Sequence, residues 1–131
     1  MEFGKSTFEK WTPVPDFESR FDVSDIGWGS VTLISYQKQQ EGTAQRMQLI
    51  WEPSQIIAYH VTDETFREDC WGLDFENDGR FYVSRDSEYI AILRQKSPLF
   101  PENAIHFLIV GTDTIVDVLA KEYPTVTKEG V

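Results

Sequence analysis

The chain has very few of the residues that support redox or metal chemistry. Cys70 is its single cysteine, and His60 and His106 are its two histidines. One cysteine excludes an internal disulfide and a cysteine-rich zinc site, and it is typical of a reducing compartment. The histidines lie far apart in the chain, without the i, i+4 spacing that places two metal ligands on one helix. The sequence therefore predicts no metal site and no cofactor.

Long hydrophobic runs are also missing. The longest, Ala104 to Val110, is interrupted by His106 and is much shorter than the roughly 20 apolar residues of a membrane-spanning helix. The N-terminus, Met1 to Lys5, has no basic region followed by an apolar core, so we expect no secretory signal. These absences predict a cytoplasmic protein that does not insert into a membrane.

Basic residues are scarce. The chain has 12 lysines and arginines against 22 acidic residues, a net charge of −10. Nucleic acids and anionic membranes are bound mainly through lysine and arginine, so the charge predicts that this chain binds neither. A basic protein is the partner that the charge allows, and a role in solubility alone is the alternative.

Recognisable catalytic and ligand motifs are absent or incomplete. There is no Gly-x-Ser-x-Gly elbow, and Cys70 follows Glu68 and Asp69, an acidic setting that disfavours the thiolate. A calcium-loop pattern begins at Asp74, but its twelfth position is Arg85, where calcium needs a carboxylate. The segment Gly27 to Ser30 lacks a following helix and is predicted to be a turn. We therefore predict that the protein is not an enzyme.

An aromatic N-terminal arm stands out among the features that are present. Residues 1–30 read as irregular, and Thr12 to Pro15 must be extended because proline fixes its own φ and restricts the preceding residue. The arm carries the large aromatic residues Phe3, Phe8, Trp11, Phe17, Phe21 and Trp28. Rings of this size are rarely left in water, so we expect the arm to pack onto the body of a single domain, 1–131.

Residues 31–84 show the alternation of antiparallel strands. Val31 to Lys38 and Gln45 to Trp51 are predicted as strands joined by a hairpin-length connection that contains a glycine. A third strand spans Ile56 to Val61, and a shorter hairpin pairs Leu73 to Glu76 with Arg80 to Ser84. The apolar face of the second strand consists of Met47, Leu49 and Trp51.

The C-terminal part contains helical spacing. Asp86, Ser87 and Glu88 provide cap chemistry for a helix that ends before Pro98. The helical positions are Tyr89, Ile92, Leu93 and Lys96. The apolar run Ala104 to Val110 predicts a central strand, with His106 as a hydrogen-bonded core histidine.

The segment 113–121 is predicted to be a second helix, with an Asp117 to Lys121 pair at i, i+4. Its β-branched residues leave a strand as the alternative. Strands followed by helices indicate an α+β fold, with a mainly antiparallel sheet of five to six strands and two helices in the C-terminal half.

Half of the net charge lies in one short segment. Residues 62–80 hold seven acidic residues against Arg67 and Arg80, a net charge of −5. Aromatic anchors among acidic residues are typical of a surface that recognises a basic protein. A solvated connection with its aromatic residues turned inward is the alternative. The predicted partner-binding residues are Asp63, Glu64, Glu68, Asp69, Trp71, Asp74, Glu76 and Asp78.

Three short segments of the chain resemble segments of a known class of proteins: Tyr59 to Glu64, Ser97 to Phe100 and Asp117 to Leu119. With its size, acidity and order of elements, the chain resembles small acidic uncharacterised bacterial proteins of the toxin-immunity type. The resemblance covers the chain in outline and carries over no functional residue. It implies a protein that neutralises a toxin by direct binding.

The sequence thus predicts a non-enzymatic protein-binding domain of the immunity type, which recognises a basic toxin through residues 62–80. One alternative is a small-ligand-binding domain, with a pocket between the apolar face of the sheet and the aromatic arm. Another is an enzyme whose site joins His60, the histidine expected to be more exposed, to a carboxylate.

Overall fold

The computed structural model describes residues 8–14, 21–35, 45–67 and 80–130. These residues form nine β-strands, one α-helix and two single-turn 3₁₀ helices, Pro53–Gln55 and Glu64–Phe66. In chain order the strands and the α-helix are β1 Glu9–Lys10, β2 Phe21–Gly27, β3 Ser30–Ser35, β4 Gln45–Ile50, β5 Ile56–Asp63, β6 Phe81–Ser84, α1 Glu88–Lys96, β7 Ile105–Val110, β8 Thr114–Ala120 and β9 Thr125–Gly130.

The strands form two antiparallel sheets. The five-stranded sheet has the order β1-β6-β7-β8-β5, and the four-stranded sheet has the order β2-β3-β4-β9. Within the described residues, β5 is therefore an edge strand, paired with β8 on one side. An edge strand has main-chain N–H and C=O groups that point away from its sheet.

The core lies between the two sheets. Each sheet contributes the alternate side chains of its inner face, as expected when antiparallel strands are covered on one side. From the four-stranded sheet and its flanks come Phe21, Val31, Met47, Leu49 and Trp51, and from the five-stranded sheet come Ile56, Phe81, Ile105, Phe107, Ile109, Val116, Val118 and Ala120. The outer face of the five-stranded sheet contacts α1, and the side chains at its centre, such as His106 and Asp117, are buried as well.

The predicted α+β fold class is wrong. The described residues form two sheets with nine strands, so the fold is closer to mainly β than to one sheet of five to six strands with two helices. The segment 113–121, predicted as the second helix, is strand β8. Its β-branched residues lose rotamer freedom in a helix, and β8 gains ladder partners on both sides, β7 and β5.

Several elements agree with the sequence predictions. Helix α1 begins after Ser87, whose hydroxyl accepts a hydrogen bond from the Ile90 amide. Strand β7 is central and buried throughout. Met47 and Leu49 of β4 are fully buried, as their alternation predicted. No helix in the described part of the chain is long and apolar enough to cross a membrane.

The predicted irregular arm contains two strands, β1 and β2. Phe21 begins β2, and its ring stacks on Phe81 with 5.1 Å between centroids. Trp11 packs edge-on against Phe107, with centroids 5.2 Å apart. Trp28 and Gly29 form the turn between β2 and β3, where Gly29 has a φ of 104°. The expected turn is therefore present, but it connects two paired strands.

Candidate functional site

A buried carboxylate lies at the centre of the outer face of the five-stranded sheet. Asp117 of β8 has no solvent exposure. Its cross-strand neighbours are Leu108 on β7 and His60 on β5. A buried carboxylate is costly unless hydrogen bonds and opposite charge surround it. The side chains around Asp117 provide both.

His106 and Ser87 form a hydrogen-bonded chain that ends on Asp117. His106 Nε2 lies 2.6 Å from Asp117 Oδ1, and His106 Nδ1 lies 2.8 Å from Ser87 Oγ. An ionised carboxylate only accepts, so His106 Nε2 carries the proton that it donates. On its other side the ring contacts Ser87 Oγ through Nδ1, and Ser87 Oγ accepts a hydrogen bond from the Ile90 amide. The prediction that His106 is a hydrogen-bonded core histidine is confirmed.

Arg67 provides the opposite charge. Its side chain is 4% exposed, and Nη1 lies 2.5 Å from Asp117 Oδ2. The 3₁₀ turn Glu64–Phe66 precedes Arg67, whose amide donates to the Glu64 carbonyl. At the start of this turn the Glu64 amide donates to the Asp113 carbonyl. The turn after β5 is therefore anchored at both ends.

His60 connects this cluster to the surface. It lies on β5 directly opposite Asp117, its side chain is 44% exposed, and its Nδ1 is 3.8 Å from Asp117 Oδ2. The same nitrogen lies 3.0 Å from Thr62 Oγ1. The ring of Tyr89 on α1 packs between the two histidines, 6.4 Å from His60 and 5.6 Å from His106. The more exposed histidine is thus His60, and it does meet a carboxylate.

The electrostatics of the cluster favour the ionised form of Asp117. Burial alone raises the pKa of this carboxyl, but the imidazoles of His106 and His60 and the guanidinium of Arg67 outweigh burial, and the pKa falls well below its ordinary value. Burial, and then the negative charge of Asp117, raises the pKa of Tyr89. Asp117 is therefore negatively charged at neutral pH, and Tyr89 is neutral.

The Ser87, His106 and Asp117 chain has the residue types of a hydrolase triad. Ser87 and His106 have no solvent exposure, however, and Ser87 Oγ caps α1. A substrate cannot reach this hydroxyl without displacing the helix. The chain of hydrogen bonds therefore acts structurally, joining α1 to β7 and β8.

A second feature lies on the exposed side of β5. Tyr59 and Val61 point toward the inner face, where the four-stranded sheet leaves them 39% and 45% exposed. Trp28 contacts Tyr59 with ring centroids 5.6 Å apart, and Phe66 of the following turn is 77% exposed. We call this feature the β5 surface, and it consists of Trp28, Tyr59, Val61, Asp63, Glu64 and Phe66.

Two of the eight predicted partner-binding residues lie within the described residues. Asp63 is exposed at the end of β5, and its carboxylate accepts a hydrogen bond from the Thr65 amide. That bond from the Thr65 main chain, with the Thr65 side chain, lowers the pKa of Asp63. Glu64 is half-buried in the turn. The other predicted residues lie outside the described part of the chain: Glu68, Asp69, Trp71, Asp74, Glu76 and Asp78.

Sequence reasoning missed the two central residues of the cluster. Asp117 was assigned to a helical pair with Lys121, and Arg67 was counted only as a charge. Their signal is the position of Asp117, alone among the apolar residues of Thr114–Ala120. A single ionisable residue inside a fully buried strand requires a partner of opposite charge, and Arg67 is that partner.

Two cavities are lined by residues in the described part of the chain. A cavity beside Trp51 and Tyr59 measures about 10 Å³, which is about the space of one water. A larger pocket of about 310 Å³ lies beside β6, lined in part by Arg85, Asp86 and Tyr123. None of the described histidines, cysteines and carboxylates form a group of three or more that could hold a metal ion.

Comparison of the chain with models of protein families, with curated proteins and with solved structures gives no match in any of the three.

Proposed function

We propose that this chain is a protein-binding domain that recognises a basic protein through the β5 surface. The observation that carries this proposal is the concentration of exposed apolar side chains there. Of the seven large apolar side chains that are well exposed in the described residues, four belong to the β5 surface: Trp28, Tyr59, Val61 and Phe66. Trp28 contacts Tyr59, and Val61 lies next to Tyr59 on the same face of β5; exposed apolar groups that lie together are typical of protein interaction sites.

The charge around these side chains favours a basic partner. Asp63 lies on the same face of β5 as Tyr59 and Val61, and its lowered pKa keeps it ionised at neutral pH. The chain as a whole carries a net charge of −10. An acidic surface accelerates encounter with a basic partner and repels acidic ones. The exposed aromatic side chains therefore favour tight binding, and the acidic residues beside them favour a basic partner over an acidic one.

The buried cluster supports binding by fixing the turn that carries Phe66. Arg67 anchors one end of this turn to Asp117, and the hydrogen bond from the Glu64 amide to the Asp113 carbonyl anchors the other. A turn whose main chain is fixed before binding loses little backbone conformational entropy when the complex forms. Phe66 is therefore suited to act as an anchor despite its exposure.

The resemblance to immunity proteins gives this proposal a specific form, in which the basic partner is a toxin that the chain neutralises by occlusion. In that form the first candidate is a protein encoded beside this chain. Inhibition of a toxin encoded there, in proportion to the amount of chain bound, is the expected result. A neighbouring basic toxin that stays fully active at saturating chain would contradict the immunity form of the proposal.

The test begins with a photoreactive residue in place of Phe66, irradiated in cells of the source organism. Leu99 is the matched control position, because it is apolar and 89% exposed but lies beyond α1, outside the β5 surface. We expect position 66, but not position 99, to crosslink to a basic protein. Equal crosslinking from both positions, or an acidic protein captured at position 66, contradicts the proposal.

Affinities for the purified partner complete the test. Phe66→Ala and Asp63→Lys should each weaken binding at least about tenfold, since anchors and steering charges act at the interface. The controls Leu99→Ala and Glu102→Lys make equivalent changes at exposed positions after α1 and should leave the affinity unchanged. Calorimetry measures all four, and equal losses in both pairs would contradict a site at β5.

A further inference from the structure

We infer that the β5 surface holds its partner by strand addition, with an extended basic segment of the partner pairing with β5 through main-chain hydrogen bonds. This inference rests on the proposed function and adds the form of the bound segment. It combines three features: the side of β5 that pairs with no strand of the described residues, the scarce edge protection of β5, and the side chains beside that edge.

The register of the ladder identifies which β5 amides point outward. The Glu64 amide donates to the Asp113 carbonyl, so this pair is hydrogen-bonded. In an antiparallel ladder hydrogen-bonded and non-hydrogen-bonded pairs alternate. His60 and Thr62, paired with Asp117 and Ile115, are therefore bonded to β8.

By the same alternation, Tyr59, Val61 and Asp63 form non-hydrogen-bonded pairs with β8. Their N–H and C=O groups point to the other side of β5. No strand of the described residues pairs with that side. Three consecutive outward positions provide up to six main-chain hydrogen-bonding groups for an added strand.

Edge strands are usually protected against pairing, and β5 has little of this protection. Proline, lysine, short length and bulges are the common devices. Strand β5 spans eight residues with neither proline nor lysine. Its register irregularity lies between Ile56 and Ala58, so Tyr59 to Asp63 is regular. The opposite edge of the same sheet, β1, has only two residues.

The side chains beside this edge select the occupant. On one face an added strand meets Tyr59 and Val61, with Trp28 against Tyr59, so alternate apolar side chains find contacts. Asp63 lies at the end of the same face and attracts lysine or arginine. A second copy of this chain carries the same net charge of −10 and is repelled. A basic extended segment is therefore the occupant that fits.

The experiment uses an acetylated ten-residue peptide that alternates lysine with valine, added to the isotope-labelled full chain. Amide exchange is followed residue by residue by NMR. We expect exchange at Tyr59, Val61 and Asp63 to slow at least tenfold in the complex. Exchange at His60 and Thr62 should not change, because these amides already donate to β8.

Two variants at one position separate main-chain from side-chain binding. Val61→Pro removes the outward N–H and the side chain, whereas Val61→Ala removes most of the side chain and keeps the N–H. We expect Val61→Pro to bind the peptide at least tenfold more weakly than Val61→Ala. Unchanged protection of the His60 and Thr62 amides from exchange shows that each variant keeps β5 folded. If Val61→Pro does not fold, the exchange pattern of the unsubstituted chain decides whether the peptide binds by strand addition.

Three results overturn strand addition: a peptide that does not bind at roughly 1 mM, a peptide that binds without the alternating protection, and dimerisation of the chain through β5 instead of peptide binding. Each of these leaves the proposed function intact if position 66 still crosslinks to a basic partner whose binding Asp63→Lys weakens. Failure of that crosslinking, in contrast, is failure of the proposed function itself.

Discussion

Arg67 and Asp117, fifty residues apart in the chain, form a buried ion pair with 2.5 Å between Nη1 and Oδ2. The pair joins the turn that follows β5 to the centre of the five-stranded sheet. Because Asp117 also accepts from His106, which bonds to the Ser87 cap of α1, one carboxylate holds together β7, β8, the helix and the turn. The predictions below test this arrangement.

Replacing Asp117 by asparagine should destabilise the fold by about 3–5 kcal/mol, since it removes the negative charge that faces the buried guanidinium of Arg67. Urea denaturation of both proteins at pH 7 measures the difference. Asp113→Asn is the matched control, because Asp113 is exposed in the same β7–β8 hairpin, and its cost should stay within about 0.5 kcal/mol. A cost below 1 kcal/mol for Asp117→Asn would show that the pair contributes little.

The contribution of Asp117 should depend on pH in a defined direction. Its folded-state pKa lies below the ordinary value of 3.8, so its stabilisation is complete above that value and is lost progressively as pH falls from there through the folded-state pKa. Between pH 5 and pH 3 the unfolding free energy of the unsubstituted chain should fall by roughly 1 kcal/mol more than that of Asp117→Asn. Parallel urea titrations across this range measure the difference, and identical slopes would contradict the lowered pKa.

Replacing Ser87 by alanine should cost about 1–3 kcal/mol, because it removes the cap of α1 and leaves the buried Nδ1 of His106 without its partner. Ser97→Ala is a useful comparison, since Ser97 Oγ accepts only the Leu99 amide in an exposed turn and should cost less than 1 kcal/mol. Thermal and chemical denaturation give both values. Equal costs would show that His106 does not depend on Ser87.

Gly29→Ala should destabilise the β2–β3 turn by about 1–3 kcal/mol. Gly29 has a φ of 104°, and an added Cβ would lie 3.0 Å from the Trp51 carbonyl oxygen. At Gly27 an added Cβ meets only Ser30 Oγ at 3.6 Å, an ordinary contact, so Gly27→Ala should be nearly neutral. Denaturation measures the stability of both variants. Equal effects at both glycines would contradict a strained position at Gly29.

Short sequence patterns correctly predicted those strands and the helix whose structure depends mainly on nearby residues. The alternation of Met47 and Leu49 identified the buried face of β4, and the cap at Ser87 located the start of α1. The unbroken apolar run around Phe107 identified a central strand. In each of these three elements the hydrophobic pattern of the sequence agrees with the burial in the structure. The residues within the element were therefore sufficient to predict it.

The helix prediction for the segment 113–121 was wrong because two sequence patterns compete there. The spacing of Ile115, Val118 and Leu119 fits one face of a helix, whereas the β-branched residues favour a strand. All six residues from Ile115 to Ala120 are buried. A segment buried on every side has no polar face, and its period then carries no information about helix or strand. Ladder partners on both sides decided the outcome.

The candidate site was partly accessible from sequence. The acidic character of the segment that begins at Asp63 was visible, and Asp63 is exposed beside apolar side chains. Trp28 and Phe66 were not connected with it, because Trp28 reaches Tyr59 only through the packing of one sheet on the other. Such contacts between distant segments leave no local pattern.

The amino-acid sequence by itself determined the charge of this protein, the position of its helix cap and the buried faces of its regular strands, because these depend on residue type and short spacing. The tertiary structure alone decided that β8 is a strand, that Arg67 neutralises Asp117, and that β5 lies at an edge of the described sheet with Tyr59 and Val61 exposed. Each of these features depends on which strands become neighbours. The pairing of strands is set by the burial of apolar side chains from the whole chain in one core, so it cannot be read from any single segment.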